Sequence, residues 1–169
     1  DISKKVHSSY LLKAQKGQFT GCVAPFGYRK DPEDKNHLLI DEETAPIVRR
    51  LFAWALEGHG PNYIRRRLEE EKIPCPTYWN RVRGFRNVST KWEKKDPVNG
   101  RYMWDFSVIK DILMNPVYTG AIASQKKEYR FKIGTIGEKK PEEWIVVENQ
   151  HEPLVDRKTF DIVQRKLKS

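Results

Sequence analysis

Between residues 77 and 103, seven basic side chains (Arg81, Arg83, Arg86, Lys91, Lys94, Lys95 and Arg101) are interleaved with the aromatics Tyr78, Trp79, Phe85, Trp92 and Tyr102. Guanidinium and ammonium groups gain most against phosphates, where they displace counterions. No hydrophobic period runs through the segment. It is therefore expected to be a long loop, mobile alone and ordered on a polyanion, with Arg81, Arg83, Arg86 and Lys91 reaching phosphates or bases. An inert insertion is the competing reading. A second basic stretch, residues 1–30, holds six Lys/Arg against one Asp, whereas 38–73 is nearly neutral. The 169-residue chain carries a formal net charge of +9. Its concentration in two stretches points to nucleic acid, against the plainer alternative of solvated lysine-rich segments.

Other chemistries lack their residues. His7, His37, His59 and His151 are scattered without metal-ligand spacing, and neither Cys22 nor Cys75 has a second ligand two to four residues away. There is no Gly-rich phosphate loop and no Gly-x-Ser-x-Gly elbow. Ser3, Ser8 and Ser9 have no nearby base, and Glu69-Glu70-Glu71 reads as a helix face. No catalytic residue, metal or cofactor is expected. No window approaches the ~18 uncharged apolar residues of a spanning helix, and no apolar run follows Asp1–Lys5 as in a signal peptide.

The elements that must position the basic residues follow from periodicity. Ile2, Val6 and Tyr10 recur at i, i+4 and i+8, so residues 1–16 read as a helix that is expected to start upstream of Asp1. Lys13 and Lys16 occupy its last turn, and Gly17 stops it. Residues 17–25, with two glycines and no period, read as an extended linker. Its Gln18 and Thr20 are short donors suited to a minor groove, though a plain domain linker fits equally. Tyr28–Ile40, with Arg29 on its first strand, reads as a hairpin about Asp31–Asn36. Helices are expected at 44–57, with Ile47, Val48, Leu51, Phe52, Trp54 and Ala55 inward, and at 61–72 after Pro61. A further helix at 105–114, capped by Asp105, turns Phe106, Ile109, Ile112 and Leu113 inward and leaves Ser107 and Lys110 free for base edges. Strands are expected at 117–123, 127–133 and 144–148, and Asp156 opens a closing helix. The fold class is thus α+β: a helical core with a helix-turn-helix-like pair and small antiparallel β elements.

The order of motifs supplies more. Phe19-Thr20-Gly21, Pro25-Phe26-Gly27-Tyr28 and Leu39-Ile40-Asp41 precede Ala45–Phe52; Gly58, Ile64, Leu68, Ile73-Pro74 and Trp104 follow. Then comes Ile112-Leu113-Met114-Asn115-Pro116-Val117-Tyr118-Thr119-Gly120, the most specific block. Together, over nearly the whole chain, they resemble the recombinase domain of the large serine recombinases, the phage integrases and transposases of the resolvase/invertase superfamily. The resemblance implies a bacterial or phage-encoded cytoplasmic protein that takes part in site-specific recombination and binds double-stranded DNA attachment sites as a dimer or tetramer. In such proteins a serine of a separate catalytic domain attacks the phosphodiester, and a zinc ribbon follows; neither is recognisable in this sequence. Residues 1–16 resemble the end of the helix leading from that catalytic domain, 17–25 the linker, and 26–169 the recombinase domain. Arg65 stands where the family has a small residue, and 77–103 is longer than usual. A winged-helix transcriptional regulator, needing only the helix pair and hairpin, is the alternative, and a nuclease or RNA-processing enzyme would need clustered carboxylates.

Overall fold

A computed structural model describes residues 2–130 and 133–169. In chain order its elements are α1 (Ile2–Gln15), β1 (Tyr28–Lys30), β2 (Leu38–Ile40), α2 (Ala45–Leu56), α3 (Pro61–Glu70), α4 (Pro76–Val82), α5 (Lys91–Lys95), α6 (Phe106–Met114), β3 (Ile122–Ser124), β4 (Lys127–Arg130), β5 (Gly134–Glu138), β6 (Ile145–Val147) and α7 (Arg157–Lys168). Short 3-10 turns occupy Gly100–Tyr102, Pro116–Thr119 and Pro141–Glu143. The strands pair antiparallel in twos, β1 with β2, β3 with β6 and β4 with β5. The fold is α+β, and it divides into two compact units: residues 1–45 with 116–156, and residues 46–115 with 157–169.

In the first unit α1 packs on β3 and β6. It ends as its sequence dictates: Gly17 has φ +72°, its N–H bonds Ala14 O, and the Gln18 N–H reaches Lys13 O, the paired closure of a glycine-capped helix. The helix forms as its period predicts, but its apolar stripe is not buried. Ile2, Val6 and Tyr10 are exposed, whereas Ala14 is buried. The strand expected at 117–123 is shortened to Ile122–Ser124, because Pro116 opens a 3-10 turn that the Thr119 hydroxyl closes onto Pro116 O at 2.7 Å. That turn is held from both sides. The Tyr118 hydroxyl donates to Phe26 O (2.6 Å), and His151 Nε2 donates to Val117 O (2.6 Å). The Tyr28 hydroxyl donates to Glu152 O (2.7 Å) while its ring stacks on Tyr118. Burial pushes the Tyr118 phenol far up and the His151 imidazole down, so both stay neutral. Of the strand expected at 127–133, β4 takes 127–130, Ile133 lies in the turn to β5, and residues 131 and 132 lie outside the described residues. Strand β5, Gly-Thr-Ile-Gly-Glu, carries a single large apolar residue, itself exposed, and pairs through its backbone with no hydrophobic alternation to announce it.

The second unit is helical. Val48, Leu51, Phe52, Trp54 and Ala55 of α2 are buried as their spacing requires, with Phe52 against Phe160 of α7. Ile64 and Leu68 of α3 and Ile109 and Leu113 of α6 are fully enclosed, each contributing about 1.5–3 kcal/mol. Arg50 donates to both Glu71 oxygens and lies over Trp54, clamping α2 to the end of α3 and holding the Glu71 carboxyl below its ordinary range. The large residue at position 65 is accommodated by facing solvent.

Candidate nucleic-acid interface

The helix pair in the second unit is built from its buried side. Helix α3 packs on α6. The Trp104 indole donates to Ile73 O (2.9 Å), fastening the end of α3 to the approach to α6, and Gln164 of α7 donates to Leu113 O (2.6 Å) at the other end of α6. With Ile109, Ile112 and Leu113 fixed inward, Ser107 and Lys110 are exposed as expected. Two details differ. Phe106 is exposed rather than inward: at 100° per residue it lies about 60° from Ile109, and in the first turn it has no preceding turn to cover. Lys110 Nζ instead sits 5.8 Å from its ring. Asp105 holds the N-cap position without a side-chain cap; its carboxylate pairs with Lys95 of α5.

The connection between these helices is not the aperiodic loop that its composition predicts. It folds as α4, α5 and the 100–102 turn. Pro76 stands at the start of α4, and Gly84 (φ +84°) ends it by the same paired closure as Gly17, with its N–H on Arg81 O and that of Phe85 on Asn80 O. Trp92 of α5 is buried edge-on against Tyr78 of α4 (5.4 Å). The polar ends of the segment point out. Arg81 is exposed and 3.7 Å from Glu93, Arg83 lies 5.1 Å from the Trp79 ring, and Arg86 and Lys91 are exposed. Tyr78, Trp79, Trp92 and Tyr102 are packing that supports these cations, whereas Phe85 is exposed. Sequence reasoning missed this because the pattern repeats on no helical or strand period; the contacts that bring the pieces together, Tyr78 with Trp92, Arg81 with Glu93 and Arg101 with three rings, are distant along the chain.

The first unit carries the other candidates. Lys16, Thr20 and Arg29 are exposed, while Lys13 and Gln18 are half-buried. Gln18 lines a cleft of about 250 Å³ with Lys16, Asn36, His37 and Gln150. Segment 17–25 has no regular structure, and Phe19 fastens it to the hairpin turn: the Phe19 N–H bonds Asn36 O (2.9 Å), and the Asn36 amide returns a bond to Phe19 O (2.7 Å). Asn36 is itself fixed by the Asp31–Asn36 turn, where Glu33 N–H and the His37 ring hold the Asp31 carboxyl below its ordinary range. Thus Lys13, Lys16, Gln18, Thr20 and Arg29 belong to one unit and Arg81, Arg83, Arg86, Lys91, Ser107 and Lys110 to the other. Among the described residues no three His, Cys, Asp or Glu side chains gather as a metal site, and no helix is long and apolar enough to cross a membrane.

Comparison with known proteins gives this geometry a context. A protein-family model described as Recombinase matches residues 42–169. A crystal structure of an LSR–DNA complex shares the fold at a TM-score of 0.56 and 17% identity, over 97% of this chain and 39% of its own. A structure from work on the sequence requirements of the Listeria innocua prophage attP site does so at 0.58 and 17%, over 98% of this chain and 51% of its own. The chain therefore spans about half or less of the length of these structural relatives.

Proposed function

The chain belongs to the Recombinase family, the recombinase domain of large serine recombinases, and on that premise we propose that it binds double-stranded DNA sequence-specifically within a longer site-specific recombinase. In this reading α6 enters the major groove with Ser107 and Lys110 at base edges. The exposed Arg81, Arg83, Arg86 and Lys91 take phosphates. Gln18 and Thr20 follow the minor groove, with Lys13, Lys16 and Arg29 on its phosphate walls. Strand cleavage is assigned to a catalytic serine domain elsewhere in the recombinase, and this part supplies grip and address. The observation that carries the reading is the outward polar edge of α6, flanked in the same unit by exposed cations. Two structural relatives, one of them a complex with DNA, share the fold.

The test is binding to a duplex across a salt series. With about six phosphates engaged, log K falls against log salt with a slope of about −5, and a slope near zero removes the electrostatic basis of the proposal. Competition between selected and mixed-sequence duplexes then measures the specific part.

A further inference from the structure

Three pieces of the basic segment converge on one cation. The Arg101 guanidinium lies 5.0 Å from the ring centre of Tyr78 on α4, 5.8 Å from that of Trp92 on α5 and 6.0 Å from that of Tyr102 in its own turn. Its Nη1 donates to the Tyr78 hydroxyl (3.4 Å), and its carbonyl accepts the Cys75 N–H (2.8 Å) at the head of α4. The preceding Gly100 is buried so tightly on α5 that a Cβ there would overlap the Trp92 carbonyl. Arg101 is only half-exposed, and its Nε is enclosed without a hydrogen-bond partner. Rings and a phenol hold this charge in place of a carboxylate. That choice matters on a surface meant for phosphates: an acid would cancel the cation, whereas ring faces fix it and leave the segment positive.

We propose that Arg101 is the positioning residue of the basic segment. It gathers α4, α5 and the 100–102 turn so that Arg81, Arg83, Arg86 and Lys91 form one preformed cationic surface. The segment then meets the DNA backbone already ordered, and association does not bear the entropy of folding it. This rests on the reading that the second unit binds DNA.

The experiment uses the 169-residue chain and a mixed-sequence duplex of about 30 base pairs over a salt series. In the free protein, amides of 78–82 and 92–95 exchange slowly. Arg101→Leu loses that protection while Ile64, Leu68 and Ile109 keep theirs. It binds about tenfold more weakly with the salt slope unchanged, since the cations that meet phosphate remain. Arg101→Lys recovers most of the affinity, because an ammonium also sits on ring faces, and it carries the test if the leucine variant unfolds. The triple variant Arg81→Ala, Arg83→Ala, Arg86→Ala reduces the slope by about 0.9 for each phosphate no longer neutralised. If Arg101→Leu retains both protection and affinity, or if it lowers the slope by about one as a residue bound directly to phosphate would, the positioning role is overturned. A triple variant with an unchanged slope overturns it as well, for the segment then presents nothing to DNA. An unaltered chain that does not bind the duplex at all sinks the DNA reading itself, an outcome distinct from binding that Arg101→Leu leaves intact.

Discussion

Ser107 and Lys110 owe their outward position to their neighbours. Ile109, Ile112 and Leu113 are drawn into the core by burial, and the 3.6-residue period leaves the two polar side chains opposite. Replacing both with alanine removes no buried packing, only the exposed contact of Lys110 with the Phe106 ring, so the fold should persist. Preference for a selected site over mixed sequence should relax, by about 1–3 kcal/mol for each base that is no longer read, with non-specific binding reduced less. Competition binding reads the ratio, and an unchanged ratio reduces α6 to scaffold. The exposure of these two residues was legible from spacing alone. That of Phe106 was not: it has the right residue type and nearly the right angle, yet lies at the edge of the buried arc at the helix start.

Among the elements, the two stretches without a hydrophobic period differ in what holds them. Segment 17–25 is clasped to the hairpin turn through Phe19 and Asn36, leaving Thr20 exposed and Gln18 half-buried. If it reads the minor groove, substituting Gln18 and Thr20 with alanine weakens discrimination between A·T- and G·C-rich flanks without altering thermal stability. Equal discrimination by the double variant and the parent places the segment off the groove. In the second stretch, Gly100 permits the turn to sit directly on the α5 backbone. Gly100→Ala should force the two apart and cost about 1–3 kcal/mol in denaturant unfolding, as overpacking does. A cost below about 0.5 kcal/mol, typical of a surface change, shows that the two backbones separate easily.

For the molecule as a whole, acidification should remove stability in two steps. Burial of His151 disfavours its charged form and outweighs the bond its Nε2 donates to Val117 O, which acts the other way, so the folded state favours the neutral ring and its pKa lies below 6.5. As pH falls below 6.5 the unfolded chain takes up a proton that the folded one resists, and stability declines until the lower folded value is passed. Glu71, beside Arg50, and Asp31 and Asp96, each bonded by backbone N–H groups, are held below their ordinary values of 4.5 and 3.8. Their contribution is present above those values and is lost as pH falls beneath them. Melting temperature followed from pH 8 to pH 3 should show both declines, and His151→Gln, whose amide keeps the bond to Val117 O, should abolish the upper one. An upper decline that survives in the variant belongs to another histidine.

The sequence by itself determined the helices with an apolar face, the hairpin and the glycine stop of α1, because 3.6-residue spacing, turn chemistry and backbone freedom are local properties. It also carried the family resemblance, whose most specific block is a structural joint: Asn115-Pro116 ends α6, and Tyr118 and Gly120 shape the turn beneath Tyr28 and His151. Which apolar stripe is buried was decided by the tertiary structure. The stripe of α1 has the same four-residue spacing as that of α3, yet it stays exposed, since a period shows that a face exists and not whether anything covers it. The 77–103 segment was likewise settled only in three dimensions. Its pieces meet through contacts such as Tyr78 with Trp92 and the Arg101 guanidinium with rings 9 to 23 residues away along the chain, and pairings at such separations leave no period to read.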